Sequence, residues 1–295
     1  MAKIAILTDS NSGITKDEAD SLGVSVIPMP FTIDGQEYLE GISLTQEDFY
    51  QRLEKDEDVH TSQPTPGTMM EYWDSLLSDH DEVVYIPMSS GLSSTCENAL
   101  LFSGEYDGKV QVVNNQRISV TQRQSVLDAK QMAENGKSAK EIKAILEKTR
   151  FDSSIYIMVD TLKYLKKGGR VTPAAAAFAE ILNLKPILQI QGEKLDSFSK
   201  CRGLKQAKSI IISAIKSDVE KRFGGIDEAH PTVWLQVAHT HNDEAARQFA
   251  EELQEAFPGH SVHVDPLSLS IACHIGPGSL AAACTKILPE GMQPG

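Results

Sequence analysis

The feature that most narrows the fold is an alternation running from residue 1 to about 150. Short apolar runs ("KIAILTDS", "VSVIPMPF", "EVVYIPM", "KVQVVNN") take turns with stretches that carry helix signals. Thr15 to Glu18 has capping-box spacing,. Thr65 followed by Pro66 supplies a cap and a first-turn proline for a helix through "MMEYWDSLLS",. "SLTQEDFYQRLEKD", "SVTQRQSVLDAKQMAENG" and "SAKEIKAILEKTR" read as helices,. Strand–helix alternation predicts a parallel sheet with helices on both faces. Ligands of such sheets bind beyond the carboxyl ends of the strands. Within the same region "PMPFTIDGQEYLEG" reads as a hairpin turning at Asp34-Gly35, and "HTSQPTPGT" reads as a loop,.

From "SSIYIMVDTLKYLKKGGR" the character changes to a strand, a short helix and a basic Gly-Gly loop. "TPAAAAFAEILN" reads as a helix with Thr172 as cap and Pro173 in its first turn,. "KPILQIQGEKLDSFSKCR" alternates as a hairpin around Gly192. A long helix spans about 203 to 222, and "TVWLQVAHT", a helix over 242–256 and "SVHVDPLS" form a further strand–helix–strand unit,. A chain of 295 residues suits two domains, read as 1–152 and 153–295 without a long linker,.

Charge and targeting signals exclude several classes. The formal charge of -13 with no basic stripe argues against nucleic-acid binding,. The N-terminal apolar run, Ile4 to Leu7, is too short for a signal peptide, and no stretch approaches 18 apolar residues,. A cytoplasmic location is expected. Cys96, Cys201, Cys273 and Cys284 are scattered, which suits small buried thiols rather than a disulfide frame or zinc knuckle,. The glycine patterns of a dinucleotide site and of a P-loop are both absent,.

Two hydroxyl clusters stand out. "MSSGLSST" places Ser89, Ser90, Ser93, Ser94 and Thr95 where a strand hands over to a helix. Free amides and the positive dipole end at a helix start favour an anion, and hydroxyls add donors. The same serines also serve as plain helix caps. The second cluster is "HTSQPTPGT", with Thr61 and Ser62. A serine hydrolase is the sharper enzyme reading, with Ser93 as nucleophile and His274 as base. It wants Gly-x-Ser-x-Gly, and "GLSST" has Thr95 in place of the second glycine,.

Other polar groups have two readings each. "LKKGGR" packs Lys166, Lys167 and Arg170 around two glycines, and "KCRG" places Lys200 and Arg202 at a strand end. These cations suit an anionic ligand or partner, or an ordinary exposed turn. "HIGPG", from His274 to Gly278, is a rigid loop whose histidine can hydrogen-bond an anion or be structural. His239 and His241 would share one face of a strand, and His260 and His263 lie close in sequence, yet no third zinc ligand is evident,.

Taken in order, "TDSNSGI", "PMPFTIDGQEYLEG", "TSQPTPG", "SSGLSST", "DTLKYLKKGGR", "KCRGLKQA" and "HIGPG" resemble the DegV family over residues 7 to 278. The resemblance implies a two-domain α/β fold: an N-terminal parallel-sheet, Rossmann-like domain and a C-terminal α/β domain, with a ligand between them. It implies one long-chain fatty acid as ligand and a role like that of FakB, the fatty-acid-binding subunit of bacterial fatty acid kinase. Such a subunit has no catalysis of its own; it presents the acyl carboxylate to an ATP-using kinase subunit that makes an acyl phosphate. Thr61 or Ser62, with Ser93, would grip the carboxyl, and His274 would lie near it. Arg170 and Arg202 would serve phosphoryl transfer or kinase docking. No cofactor, metal or nucleic acid is implied, and transient membrane contact fits such a carrier. An apolar tunnel lined by segments such as "TPAAAAFAEILNLKPIL" would bury the chain, with room beside Ala174 to Ala177,. The sequence departs from the family's usual pattern at Ser94, Cys201 and Gly203 and in "GPGSLAAA".

Overall fold

A computed structural model describes residues 2–168 and 184–289. Of these, the residues up to Arg150, with Ser268–Ser270 and residues 288–289, form one compact unit. Those between Phe151 and Leu267, with Ile271–Ile287, form a second. Arg170, Thr172, Pro173 and Ala174 to Ala177 lie outside the described residues.

The strands of the first unit are β1 (Ile4–Asp9), β2 (Ser25–Ile27), β3 (Pro30–Ile33), β4 (Gln36–Leu39), β5 (Val59–Thr61), β6 (Glu82–Ile86) and β7 (Val110–Val112). Four of them form the expected parallel sheet, in the order β2-β1-β6-β7. Strand β6 is buried on both faces, as a parallel strand between helices should be,. Its alternate residues serve different cores. Val84 and Ile86 pack with Val126, Met132 and Ile142. Val83 and Tyr85 pack with Met69 and Trp73,. The caps read from sequence are present. Thr15 Oγ1 accepts the Glu18 amide at 3.3 Å, and Thr65 Oγ1 accepts the Thr68 amide at 3.1 Å.

The hairpin between β3 and β4 turns at Asp34 (φ 49°) and Gly35 (φ 81°), the left-handed pair that a two-residue turn requires,. One reading is corrected here. His60 and Thr61, at the start of the expected loop, are not loop but part of β5, which pairs antiparallel with β3 and completes a three-stranded sheet. Three residues carry too little alternation to announce a strand whose partner lies far away in sequence.

In the second unit β8 (Ser153–Met158), β9 (Lys185–Ile190), β10 (Asp196–Cys201), β11 (Val233–His239), β12 (Val262–Pro266) and β13 (Leu280–Lys286) form one sheet, ordered β10-β9-β8-β13-β11-β12. Only β11 and β12 run parallel, joined through the helix Asp243–Ala256. The other pairs are antiparallel. The helix Leu204–Arg222 buries Ile211, Ile215 and Val219 in this unit's core, with Val237 and Phe249. Strand β11 ends at His239, and His241 has φ 48°, so the two histidines do not share a strand face. Cys96, Cys201 and Cys284 are buried free thiols and Cys273 is half-buried. Among the described residues no helix is long and apolar enough to cross a membrane.

Candidate functional site

The chain leaves β1 for β2 on one side and later places β6 on the other, so the order of the parallel sheet switches between β1 and β6. The carboxyl ends of these neighbours, Asp9 and Ile86, open onto the place where open α/β sheets take ligands,. Asp9 is fully buried there. Its Oδ1 accepts the Asn11 amide at 3.1 Å, Asn11 Nδ2 at 2.9 Å and Gln122 Nε2 at 3.1 Å, and its Oδ2 accepts the Met88 amide at 2.9 Å. Burial nevertheless outweighs those bonds and holds the carboxyl above its ordinary range,. Asp9 therefore fastens the loop after β1 to the loop after β6. The sequence reading did not single it out; its place inside "TDSNSG" was the available signal.

Beyond Met88 the hydroxyl cluster forms a tight turn. The Ser89 amide donates to Arg117 O at 2.9 Å, and Ser89 O accepts the amides of Leu92 (3.0 Å) and Ser93 (3.2 Å). The helix that follows is Thr95–Ser103, with Ser94 as N-cap and no side-chain cap bond from Ser94. Ser93 supplies that bond from one residue earlier: its Oγ accepts the Thr95 amide at 3.2 Å and lies 2.8 Å from Thr95 Oγ1. The cap reading is thus met by Ser93 rather than by the N-cap residue itself. The Ser93 oxygen ends the helix locally. When Thr95, which is fully buried, donates its hydroxyl to Ser93, the proton of half-buried Ser93 is left for an outside acceptor,. A carboxylate is a suitable acceptor beside a helix amino end. Among the described residues the partner of the Ser93 hydroxyl is Thr95 rather than a histidine, and Ser93 does not take the left-handed backbone of a strained turn.

Thr61 and Ser62 belong to the same unit. Thr61 ends β5 opposite Phe31 and is half-buried. Ser62 is exposed, and its amide donates to Pro30 O at 3.1 Å.

His274 and Arg202 belong to the second unit. His274 is half-buried in the short helix Leu269–Ile275, just before the glycine loop. Gly276 (φ 76°) and Gly278 (φ 79°) both need the left-handed region, and a Cβ on Gly276 would collide with the Tyr164 ring,. Thr240 pins this loop from below. Its hydroxyl donates to Gly276 O at 2.7 Å and accepts the Ser279 amide at 2.9 Å, while its carbonyl accepts the Gly278 amide at 2.7 Å. Tyr164 comes from the helix Lys163–Gly168 in "DTLKYLKK", so two motifs distant in sequence meet here. Asp160, just ahead of that helix, pairs with Lys185, which stands opposite Cys201 in the sheet register. Arg202, next in sequence, is exposed, and its amide is held by Gln206 Oε1 at 2.9 Å. "DTLKYLKK", "HIGPG" and "KCRG" therefore converge within the second unit. Among the described residues no cluster of His, Cys, Asp or Glu is arranged to hold a metal ion.

The family model described as "Uncharacterised protein, DegV family" matches residues 3–286. A DegV domain-containing protein of Caldanaerobacter subterraneus is 31% identical over 278 residues, covering 94% of this chain and 96% of that one. One from Staphylococcus aureus is 27% identical over 286 residues, covering 97% of this chain and 100% of its own. A DegV family protein of Thermus thermophilus described by its fatty acid binding superposes with a TM-score of 0.87 at 29% identity, over 97% of this chain and 100% of that one. DegV of Bacillus subtilis, described as a fatty acid binding protein, gives 0.85 at 28% identity, again over 97% and 100%. With its parallel sheet, its second mixed sheet and a family match spanning nearly the whole sequence, the chain belongs to the DegV family.

Proposed function

We propose that this protein binds one long-chain fatty acid and acts, without catalysis of its own, as the substrate-presenting subunit of a cytoplasmic fatty acid kinase system. The observation that carries the reading is the likeness, over nearly the whole chain, to DegV proteins of Thermus thermophilus and Bacillus subtilis described as fatty acid binding. The Ser93 turn supports it chemically. A carboxylate taken out of water needs donors, and a hydroxyl backed by a helix amide is one. In this reading Ser93, with Thr61 or Ser62, grips the carboxyl, and His274 hydrogen-bonds it. Arg202 and Arg170 serve the kinase step or its docking. The acyl chain is buried in an apolar tunnel, at about 0.8 kcal/mol per methylene.

Mass spectrometry of protein purified from cells tests the reading. One long-chain fatty acid per chain is the expected result. Protein that carries none, and takes up none when incubated with long-chain fatty acids, overturns it. Hydrolysis of ester substrates, abolished by Ser93→Ala, would instead make the protein a serine hydrolase.

A further inference from the structure

Glu40, at the end of the β3–β4 hairpin, ties together three segments far apart in sequence. Its Oε2 accepts the Ser10 hydroxyl, and its Oε1 accepts the amide of Leu269, first residue of the helix that carries His274. The Glu40 amide donates to Met29 O at 3.0 Å, and the Met29 amide donates to Ser10 Oγ at 3.1 Å. Alongside, the Ser268 hydroxyl donates to Asn11 Oδ1 at 3.4 Å, and Asn11 in turn donates to Asp9. All of these residues belong to the first unit.

We infer that Glu40 is a positioning residue for His274: its ionised carboxylate fixes where the helix Leu269–Ile275 begins, and a proton on it loosens that hold. The inference rests on the reading that His274 meets a bound carboxyl. The first amides of a helix have no partner within it, so an outside acceptor decides how they are seated. A carboxylate is the strongest acceptor a side chain offers. With only seven residues in the helix, the placement of Leu269 governs that of His274,.

The titration falls in a useful range. Burial pushes the Glu40 carboxyl up to about 7; the Ser10 hydroxyl and the Leu269 and Ser270 amides pull it down, and the charge of Asp9 pushes it further up. Among the described residues, Asp9 and Tyr50 are titratable groups that interact with it, and burial keeps the Tyr50 phenol protonated. Ionised Glu40 accepts from Ser10 and Leu269 together. Once protonated, it keeps only an uncharged carbonyl oxygen for the Leu269 amide, a weaker acceptor than the carboxylate,.

The test measures fatty acid dissociation constants from pH 5.5 to 8.5 for the wild type, Glu40→Gln, Glu40→Asp, His274→Ala and the Glu40→Gln/His274→Ala pair, with thermal melts confirming folding. Wild-type affinity should rise as pH passes about 7. Glu40→Gln should lose that rise and at pH 8 bind several-fold more weakly, like the wild type at pH 6. Glu40→Asp, one methylene shorter, should keep a pH inflection at reduced affinity. The double variant should bind no more weakly than His274→Ala, because Glu40 acts through His274. A wild-type pH profile in Glu40→Gln, or additive losses in the double variant, would overturn the inference while leaving the fatty acid reading intact. A wild type that binds no fatty acid removes the reading and the inference together.

Discussion

Replacing Ser93 by alanine removes an oxygen that accepts the Thr95 amide and a hydroxyl that shares a hydrogen bond with Thr95 Oγ1 and, in the proposed function, meets the ligand carboxylate. A hydrogen bond to a charged group contributes roughly 1.5–3 kcal/mol, so fatty acid affinity should fall by about one to two orders of magnitude. The turn keeps its backbone bonds from Ser89 O, so the variant should still fold. Unchanged affinity in a lipid titration would remove Ser93 from the site. The proposed function gives Arg202 a different task, the kinase step. It is exposed, and its main chain rather than its side chain is held by Gln206, so Arg202→Ala should cost the fold about 0.5 kcal/mol or less,. A carboxylate gripped by hydroxyls needs the guanidinium little; a phosphoryl group in transfer, with charge spread over its oxygens, needs it more. The variant should therefore retain lipid and lose acyl phosphate formation with a cognate kinase. Parallel loss of lipid and turnover would make Arg202 a holding residue.

The glycine loop after His274 behaves as one piece with Thr240 beneath it. Gly276→Ala forces a left-handed alanine, at about 1–2 kcal/mol, and drives a methyl into the Tyr164 ring,. A melting curve should show a clear loss of stability, and adding Tyr164→Ala should cost less than the sum of the two changes. Additive losses would mean that ring and loop do not meet. Elements of this kind mark how far the sequence could be read. Local chemistry was legible: the Asp34-Gly35 turn, the Thr15 and Thr65 caps, and the strand-to-helix turn at Ser89–Ser93 each follow from neighbouring residues. The Thr240 staple, the Asp9 knot and the Glu40 clamp join residues tens to hundreds of positions apart, and no periodicity records such pairings. His239 and His241 were misread because spacing cannot tell a strand from the turn that ends it.

At the scale of the molecule, stability should depend on pH through Asp128, a fully buried residue bonded to Gln124 Nε2 at 2.9 Å. Burial raises its carboxyl to about 6, against the opposing pull of Arg117. A raised acid favours the protonated fold, so the contribution is complete below about pH 4 and is lost as pH rises through 6. Its full size is at most roughly 3 kcal/mol. The stability difference between wild type and Asp128→Asn, followed by melting from pH 4 to 7.5, should shift in the variant's favour up to about pH 6 and then level off. A difference independent of pH would show that Asp128 does not titrate there. Chain order matters at this scale too. Strand β13 lies between β8 and β11 in the middle of its sheet, Ser268–Ser270 return to the first unit, and Leu288 joins that unit's core. A ribosome adding about 5–20 residues per second therefore delivers β8 many seconds before its neighbour β13 exists. The second unit cannot close its sheet until synthesis nears its end, and the exposed edge of β8 is what a nascent-chain chaperone would have to cover.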